Sequence, residues 1–285
     1  AASNTITGNW YVYNFLFTMK SNCSLIVSTY NWPLALNVCL KSVLQQSVMP
    51  AEIIIADDGS TSDTLQLVQK FTAESPVPVI HVWQPDDGFQ LARIRNRAIA
   101  QVSPPYIIQI DGDLVLHRHF IKDHLRIKEP GHFVSGSRVL LSPETSERLL
   151  KHENPETVNK HKGGKNFFNR YRSRLLQRYL SRRYKTTGKN KYYVKGCNMA
   201  FWKNDLVAVN GYNEAFTGWG REDSELAIRL INNGIKKKFL KMGGVAYHIY
   251  HREACRQMEE KNTVMMEDAI RQKLTKAEDG LSKYF

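Results

Sequence analysis

Residues 106–113 read YIIQIDGD, an apolar run that closes on two aspartates separated by one glycine. Upstream, residues 23–28 (CSLIVS), 52–56 (EIIIA) and 77–82 (VPVIHV) are similarly short and apolar. The intervals between these runs carry helical spacing, through Leu36, Leu40, Val43 and Leu44 in 33–46 and through Leu65, Val68 and Phe71 in 61–73. A further helix is expected at 91–101. Apolar strands alternating with helices predict an α/β fold, a mostly parallel sheet covered on both faces. In such sheets the ligand lies outside the carboxyl ends of the strands. Residues 28–31, 57–60 and 111–113 all stand at such ends, and that coincidence marks the candidate site.

Beyond residue 130 the pattern is less regular. Residues 133–141 read as one strand, and 192–202 follows a long basic stretch. A helix is expected at 222–232, stopped by Asn233-Gly234, then strands at 236–240 and 245–249 and a last helix at 259–276. No internal repeat or long linker divides the chain, so one compact mixed unit is expected. Its parts are a tail at 1–20, a half at 21–130, a second half at 131–255 with an insertion at 157–195, and a C-terminal helical segment at 256–285.

Composition narrows the classes. The 285 residues are 42% hydrophobic and 24% charged, which is a globular balance. No stretch approaches the roughly 20 apolar residues of a membrane-spanning helix. Cys23, Cys39, Cys197 and Cys255 are too scattered for a disulfide framework and form no CxxC pair, so buried reduced thiols in a cytoplasmic protein are expected. Residues 1–18 lack the basic start of a secretory signal, and Met19 stands just before the first strand, so the preceding residues read as a tail or an added remnant. Neither GxGxxG after the first strand nor GxxxxGK[ST] occurs, which argues against dinucleotide-binding dehydrogenases and P-loop enzymes.

Asp111-Gly112-Asp113 has a chemistry of its own. Two carboxylates flanking a small residue in a tight turn can both face one hard cation, and Mg²⁺ or Mn²⁺ would keep further positions for substrate phosphates. A solvated Asp-Gly turn is the bland alternative, which the second acidic turn at 57–60 weakens.

In this order, SLIVSTYN (24–31), ADDGST (56–61), GFQLARIRN (88–96) and IDGD (110–113) resemble the nucleotide-sugar half of family 2 glycosyltransferases. VKGCNMA (194–200), GWGREDSEL (218–226) and AYH (246–248) resemble the acceptor half shared with β-1,4-galactosyltransferases. The joining of the two halves is similar to bacterial chondroitin-synthase-type domains. The resemblance implies a GT-A fold, Rossmann-like with a smaller C-terminal half, in which 21–130 binds the nucleotide-sugar and 131–255 the acceptor. It also implies an inverting mechanism, a UDP-sugar donor and a divalent cofactor, Mn²⁺ or Mg²⁺.

Residue by residue, the resemblance sets Thr29 and Tyr30 beside the uracil and Asp58 on the base, where a carboxylate can accept an imide N–H. Asp57 braces the turn. Arg95 falls near the donor, with Arg93 an equal candidate for a phosphate contact. Asp111 lies near the ribose or a metal-bound water, and Asp113 is the direct metal ligand. His248 completes the metal site, with His251 the competing choice; an imidazole ligand favours Mn²⁺. Asp223 is the catalytic base and Glu222 binds acceptor hydroxyls, although both acids also suit a helix start. Trp219, between two glycines, offers an indole face to the apolar side of a sugar ring. Arg221 stands where the family pattern has glycine, and Ser224 where galactosyltransferases have another acid. The implied chemistry is proton removal from an acceptor hydroxyl by Asp223 as it attacks the anomeric carbon, turning an α-linked donor into a β-linked product.

The net charge of +13 is concentrated: residues 157–195 hold thirteen Lys or Arg and no acid, leaving 27 of each sign elsewhere. Within 167–185, Phe168, Tyr171, Leu175, Tyr179 and Arg182 fall on one helical stripe among arginines. Such a helix fits an anionic membrane surface, a nucleic acid, or a solvated face whose apolar side packs on the core. The membrane reading is placed first, since surface polysaccharide enzymes work on lipid-diphosphate-linked acceptors. It implies a cytoplasmic protein peripheral to the inner membrane face, with no nucleic acid partner. A nucleic-acid-binding module and a non-catalytic sugar-binding relative are the rival readings.

Overall fold

The computed structural model describes residues 19–160, 165–252 and 256–285. Its centre is a seven-stranded sheet built from β2 (Ser24–Thr29), β4 (Glu52–Asp57), β5 (Val79–Trp83), β6 (Tyr106–Asp111), β8 (His132–Ser135), β10 (Asn198–Trp202) and β11 (Lys236–Phe239). The order across it is β11-β8-β10-β6-β2-β4-β5, and only β10 runs antiparallel to its neighbours. A pair of two-residue strands, β1 (Met19–Lys20) and β3 (Val48–Met49), lies apart from it. A three-stranded sheet holds β7 (Leu114–Leu116), β12 (Ala246–His248) and β9 (Val139–Leu140).

The uniform apolarity of the central strands follows from burial on both faces. Leu25, Val27, Ile53, Ile55, Ile108 and Ile110 point into one cluster with α1 (Pro33–Leu44), α2 (Ser62–Glu74) and α4 (Phe120–Ile127). Ile26, Ile54 and Ile107 alternate to the other face, under α3 (Leu91–Gln101), α7 (Lys203–Ala208) and α8 (Glu222–Asn232). Helix α5 (Pro143–His152) and α1 cover the small sheet around Val115, Val139 and Tyr247. Cys23, Cys39 and Cys197 are buried free thiols, while Cys255 and residues 1–18 lie outside the described residues.

Three expectations are corrected. The single strand at 133–141 is two, β8 and β9, belonging to different sheets. Its break is at Gly136, where a Cβ would come within 2.3 Å of the Asn198 side chain, whose amide also donates to the Ser137 carbonyl. The last helix, α9 (Glu259–Arg271), stops short of 276 because Lys273 turns into the left-handed region (φ 54°) and the chain then returns to pair with Val209 and Asn210. The long basic helix is also broken. Only α6 (Arg174–Ser181) is α-helical, because Arg172 is held on Asp123 by two 2.7 Å bonds and Phe168 sits in a separate 3₁₀ turn.

Helix α6 also reverses the bland packing expectation. Its buried residues are polar Gln177 and Ser181, and Gln177 donates to the Asp123 carbonyl and accepts from Arg126. Leu175, Leu176 and Tyr179 are exposed instead, Leu175 at 83%.

Candidate active site

The carboxyl ends of β2, β4 and β6 open into one cleft of about 1140 Å³, lined among others by Thr29, Tyr30, Asp58, Asp111, Asp113 and Asp223. Of the four acids at these ends, Asp57 braces the scaffold and the other three line the space. Asp57 accepts from the Ser60 amide at 2.9 Å and lies 2.9 Å from His81 Nε2, which fixes the acidic turn. Asp58 is held by Gln84 Nε2 at 2.6 Å and the Gln90 amide at 2.9 Å, one on each oxygen. Burial raises its carboxyl to about 6. Thr29 is half-buried at the strand end, and Tyr30 is exposed, its hydroxyl donating to Asp86 at 2.9 Å.

The glycine between the two aspartates has a steric cause. Gly112 donates to the Ser28 carbonyl at 2.7 Å, and a Cβ there would stand 3.0 Å from that oxygen. The tight turn sends Asp111 and Asp113 to different partners. Asp111 accepts from Arg95 Nη2 at 3.0 Å. Asp113 Oδ2 lies 3.1 Å from His248 Nε2 and 3.2 Å from His251 Nε2. Strand register explains the first histidine: β12 pairs antiparallel with β7, setting His248 opposite Leu114, the neighbour of Asp113.

These three side chains offer ligand atoms within 4.8 Å of one another. Asp113 Oδ1 is buried without a hydrogen-bond partner, the condition of a carboxylate oxygen awaiting a ligand. Burial pushes the His248 imidazole down to about 4, leaving it neutral with a lone pair to offer. One oxygen and two imidazole donors fit Mn²⁺ better than Mg²⁺. The fold brings both His248 and His251 to Asp113, so both stand as candidate ligands.

Arg95 and Arg93 separate clearly. Arg93 is half-exposed near Asp87 and Glu214. The Arg95 side chain is 1% exposed and reaches Asp111, Asp223 Oδ1 at 2.8 Å and Ser28 Oγ at 3.4 Å, with Glu222 Oε1 at 3.7 Å. Burial works against its charge, and Asp223, Asp111 and Glu222 more than offset that, so its pKa stands above the ordinary value.

Asp223 is positioned from four sides of the sequence. It lies in the first turn of α8, and its Oδ1 also accepts from the Tyr212 hydroxyl at 3.1 Å. Tyr212 in turn accepts from Gln109 Nε2 at 2.8 Å. Oδ2 packs against Gly196, where a Cβ would stand only 1.5 Å away, so any other residue at 196 would displace the carboxylate. Tyr212, Gln109 and Gly196 were not legible as site residues, although Gly196 lies inside the VKGCNMA segment. Beside Asp223, Glu222 is buried with Oε2 unpartnered, and burial together with the Asp223 charge raises its carboxyl.

Trp219 is half-buried, with the Arg256 guanidinium 5.0 Å from its ring centre. Its loop is fastened by Asn262 of α9, whose amide donates to the carbonyls of Thr217 and Gly220 at 3.1 and 3.0 Å. Arg221 caps α8 with φ at 76°, in the region that favours glycine. A glycine at this position would adopt that conformation without strain. Arg221 holds the strained conformation while its Nε reaches Thr263 at 3.2 Å.

Comparison with known families and proteins agrees with this architecture. Residues 24–206 match Glycosyl transferase family 2, and residues 179–252 match the N-terminal domain of galactosyltransferase. The chain is 26% identical over 237 residues to a chondroitin synthase of Escherichia coli, an alignment covering 79% of this chain and 34% of that protein. It is also 26% identical to a validoxylamine A glucosyltransferase of Streptomyces hygroscopicus subsp. limoneus, over 74% of this chain and 48% of that one. The chain thus spans a third to a half of these relatives' lengths. Among solved structures, Staphylococcus aureus TarS superposes with a TM-score of 0.62 at 16% identity, covering 92% of this chain and 68% of that one. The mannosyltransferase PcManGT of Pyrobaculum calidifontis, solved with GDP-Man and Mn²⁺, gives 0.60 at 16%, covering 92% and 71%. The fold is therefore GT-A, as the motifs imply, and the first match spans more than half of the sequence: the chain belongs to glycosyl transferase family 2.

Proposed function

We propose that this chain transfers a sugar from a UDP-sugar to a saccharide acceptor with inversion, forming a β-glycosidic bond in bacterial surface polysaccharide synthesis. The observation that carries the reading is the placement of Asp223 in the same cleft as Asp58, Asp111 and Asp113. A nucleotide held at the strand ends then presents its sugar to that carboxylate. The relatives named chondroitin synthase and glucosyltransferase support the reaction class, and the TarS structures solved with UDP and UDP-GlcNAc support the donor.

Asp58 accepts the uracil imide N–H, with Thr29 and Tyr30 beside the base. Asp111 faces the ribose. Asp113, His248 and His251 would hold Mn²⁺, which when bound would neutralise charge developing on the departing diphosphate. Trp219 stacks on the acceptor sugar and Glu222 grips its hydroxyls. Asp223 takes the proton of the attacking hydroxyl on Oδ2. Arg95 and Tyr212 hold Oδ1, so the carboxylate is oriented before the acceptor arrives, and Arg95 acts as a positioning residue through Asp111 and Asp223. A well-placed base contributes roughly 10²–10⁴-fold. A screen of UDP-sugars with Mn²⁺, following UDP release with and without saccharides, tests the reading. Release from no UDP-sugar would overturn it.

A second feature concerns location. The outward Leu175, Leu176 and Tyr179 stand beside Arg174, Arg178 and Arg183, the arrangement of an interfacial helix on anionic lipid. No helix among the described residues is long and apolar enough to cross a membrane. We therefore place the chain on the inner membrane face, working on a lipid-linked acceptor. Co-sedimentation with phosphatidylglycerol vesicles but not phosphatidylcholine vesicles, lost in Leu175→Glu, is the expected outcome. A nucleic-acid reading of the same residues leaves the acid-lined cleft without a role.

A further inference from the structure

Beside the cleft lies a second cavity of about 140 Å³ whose lining includes Arg138, Lys185, Lys195 and Lys241 and no acidic residue. Two tyrosine rings gather the ammonium groups. Lys185 Nζ is 4.0 Å from the Tyr193 ring centre and 5.6 Å from that of Tyr184. Lys195 Nζ stands 5.4 Å from Tyr193, and Lys241 Nζ 5.4 Å from Tyr184. Ring faces offset such charges only weakly at exposed sites. Among the described residues, no carboxylate forms an ion pair with Lys185, Lys195 or Lys241, while Asp111 and Asp113 favour the charge of Arg138 from the cleft side. Burial and the nearby Lys185 charge hold the Lys241 ammonium below its usual range. Lys185 is also kept at φ 52°, a conformation unfavourable to a residue with a Cβ.

Lysine charges crowded around a cavity that no acid lines are stabilised by an anion entering it. The position says which anion. The cavity shares Arg138, Leu140 and Lys195 with the cleft and none of Thr29, Tyr30 or Asp58. Lys195 adjoins Gly196, against which the Asp223 carboxylate packs. The cavity therefore branches from the cleft between Gly196, against which Asp223 packs, and Leu140, the strand partner of His248, away from Thr29, Tyr30 and Asp58.

We propose that this side cavity is an acceptor subsite for an oxyanion, a carboxylate or phosphate ester carried on the acceptor chain away from the hydroxyl that reacts. The inference rests on the transferase reading for its context and deepens it by naming the acceptor as anionic. Its volume admits one charged group with part of a sugar unit.

The test is a titration that needs no turnover. With UDP and Mn²⁺ present, the full chain is titrated with a glucuronate-containing oligosaccharide, a glycerol-phosphate oligomer and a neutral oligosaccharide of equal length. One anionic probe binds at least about tenfold more tightly than the neutral one, and the better of the two identifies carboxylate or phosphate as the ligand. Added salt reduces the advantage. Lys185→Gln with Lys241→Gln abolishes it while UDP affinity stays the same. Lys185→Gln alone, at a half-exposed position, reduces it in the same way and serves if the double variant loses UDP binding. Equal binding of all three probes to the wild type overturns the subsite, as does an anionic advantage that survives in a variant with intact UDP binding. Absent UDP binding in the wild type strikes the transferase reading instead, so the two failures are distinguishable.

Discussion

Arg95 Nη1 and Asp223 Oδ1 meet at 2.8 Å across a sequence separation of 128 residues. The contact joins α3, which packs on the central strands β2 and β4, to the first turn of α8. The same guanidinium reaches Asp111 on β6, so one buried cation fixes the acids of both halves of the cleft relative to each other.

Removing that cation should be costly. Arg95→Met leaves Asp223 and Asp111 without their charge partner, and breaking a buried pair in this way costs about 3–5 kcal/mol. Arg95→Lys should recover only part of the loss, because a single ammonium cannot make both contacts as a planar fork does. Equilibrium urea denaturation measures both variants; a loss below about 1 kcal/mol for Arg95→Met would mean that the network is not structural.

How much of this was legible beforehand depended on the range of the signal. Helices at 91–101 and 222–232 were read to the residue because local apolar spacing and a local stop determine them. The acids at 57–58 and 111–113 were placed at strand ends by the same local pattern. By contrast, Tyr212 and Gln109 are 103 residues apart, and their hydrogen bond leaves no periodicity to detect. The choice between Arg93 and Arg95 needed the burial of a helix face against a sheet. The split of 133–141 depended on Gly136 meeting Asn198, which lies on another strand. Which way the apolar stripe of α6 faces depended on the polar seat of Gln177 against Asp123 and Arg126, contacts some 50 residues away in sequence, so an outward and an inward stripe read alike beforehand.

Glu222 gives stability a pH dependence of definite sign. Burial, reinforced by the Asp223 charge, raises its carboxyl from 4.5 to about 8. Between those values the folded chain keeps a proton that the unfolded chain has lost, so this group makes stability fall as pH rises through that window. Glu222→Gln resembles the protonated acid at every pH. Its melting temperature should match the wild type near about pH 5 and exceed it progressively towards about pH 8. A difference that stays constant over that range would show that Glu222 does not titrate there.

Metal dependence should follow the three ligands. UDP binding is expected to require Mn²⁺, and Asp113→Ala to weaken Mn²⁺ binding by at least about 100-fold, beyond the 10–100-fold typical of outer-shell losses. His248→Ala and His251→Ala should each weaken it, since both imidazoles stand within 3.2 Å of Asp113. Electron paramagnetic resonance of Mn²⁺ reads this without turnover. Equal UDP affinity with and without the ion would remove the metal from donor binding.

The most direct measurement compares Asp223→Asn with the wild type in single-turnover transfer and in UDP-sugar binding. Asparagine retains an oxygen for Arg95 and Tyr212, so the site keeps its shape, but it cannot take a proton from an acceptor hydroxyl at neutral pH. Turnover should fall by roughly 10²–10⁴-fold while donor affinity stays within about threefold. Transfer at the wild-type rate by Asp223→Asn would contradict the assignment of this carboxylate as the base.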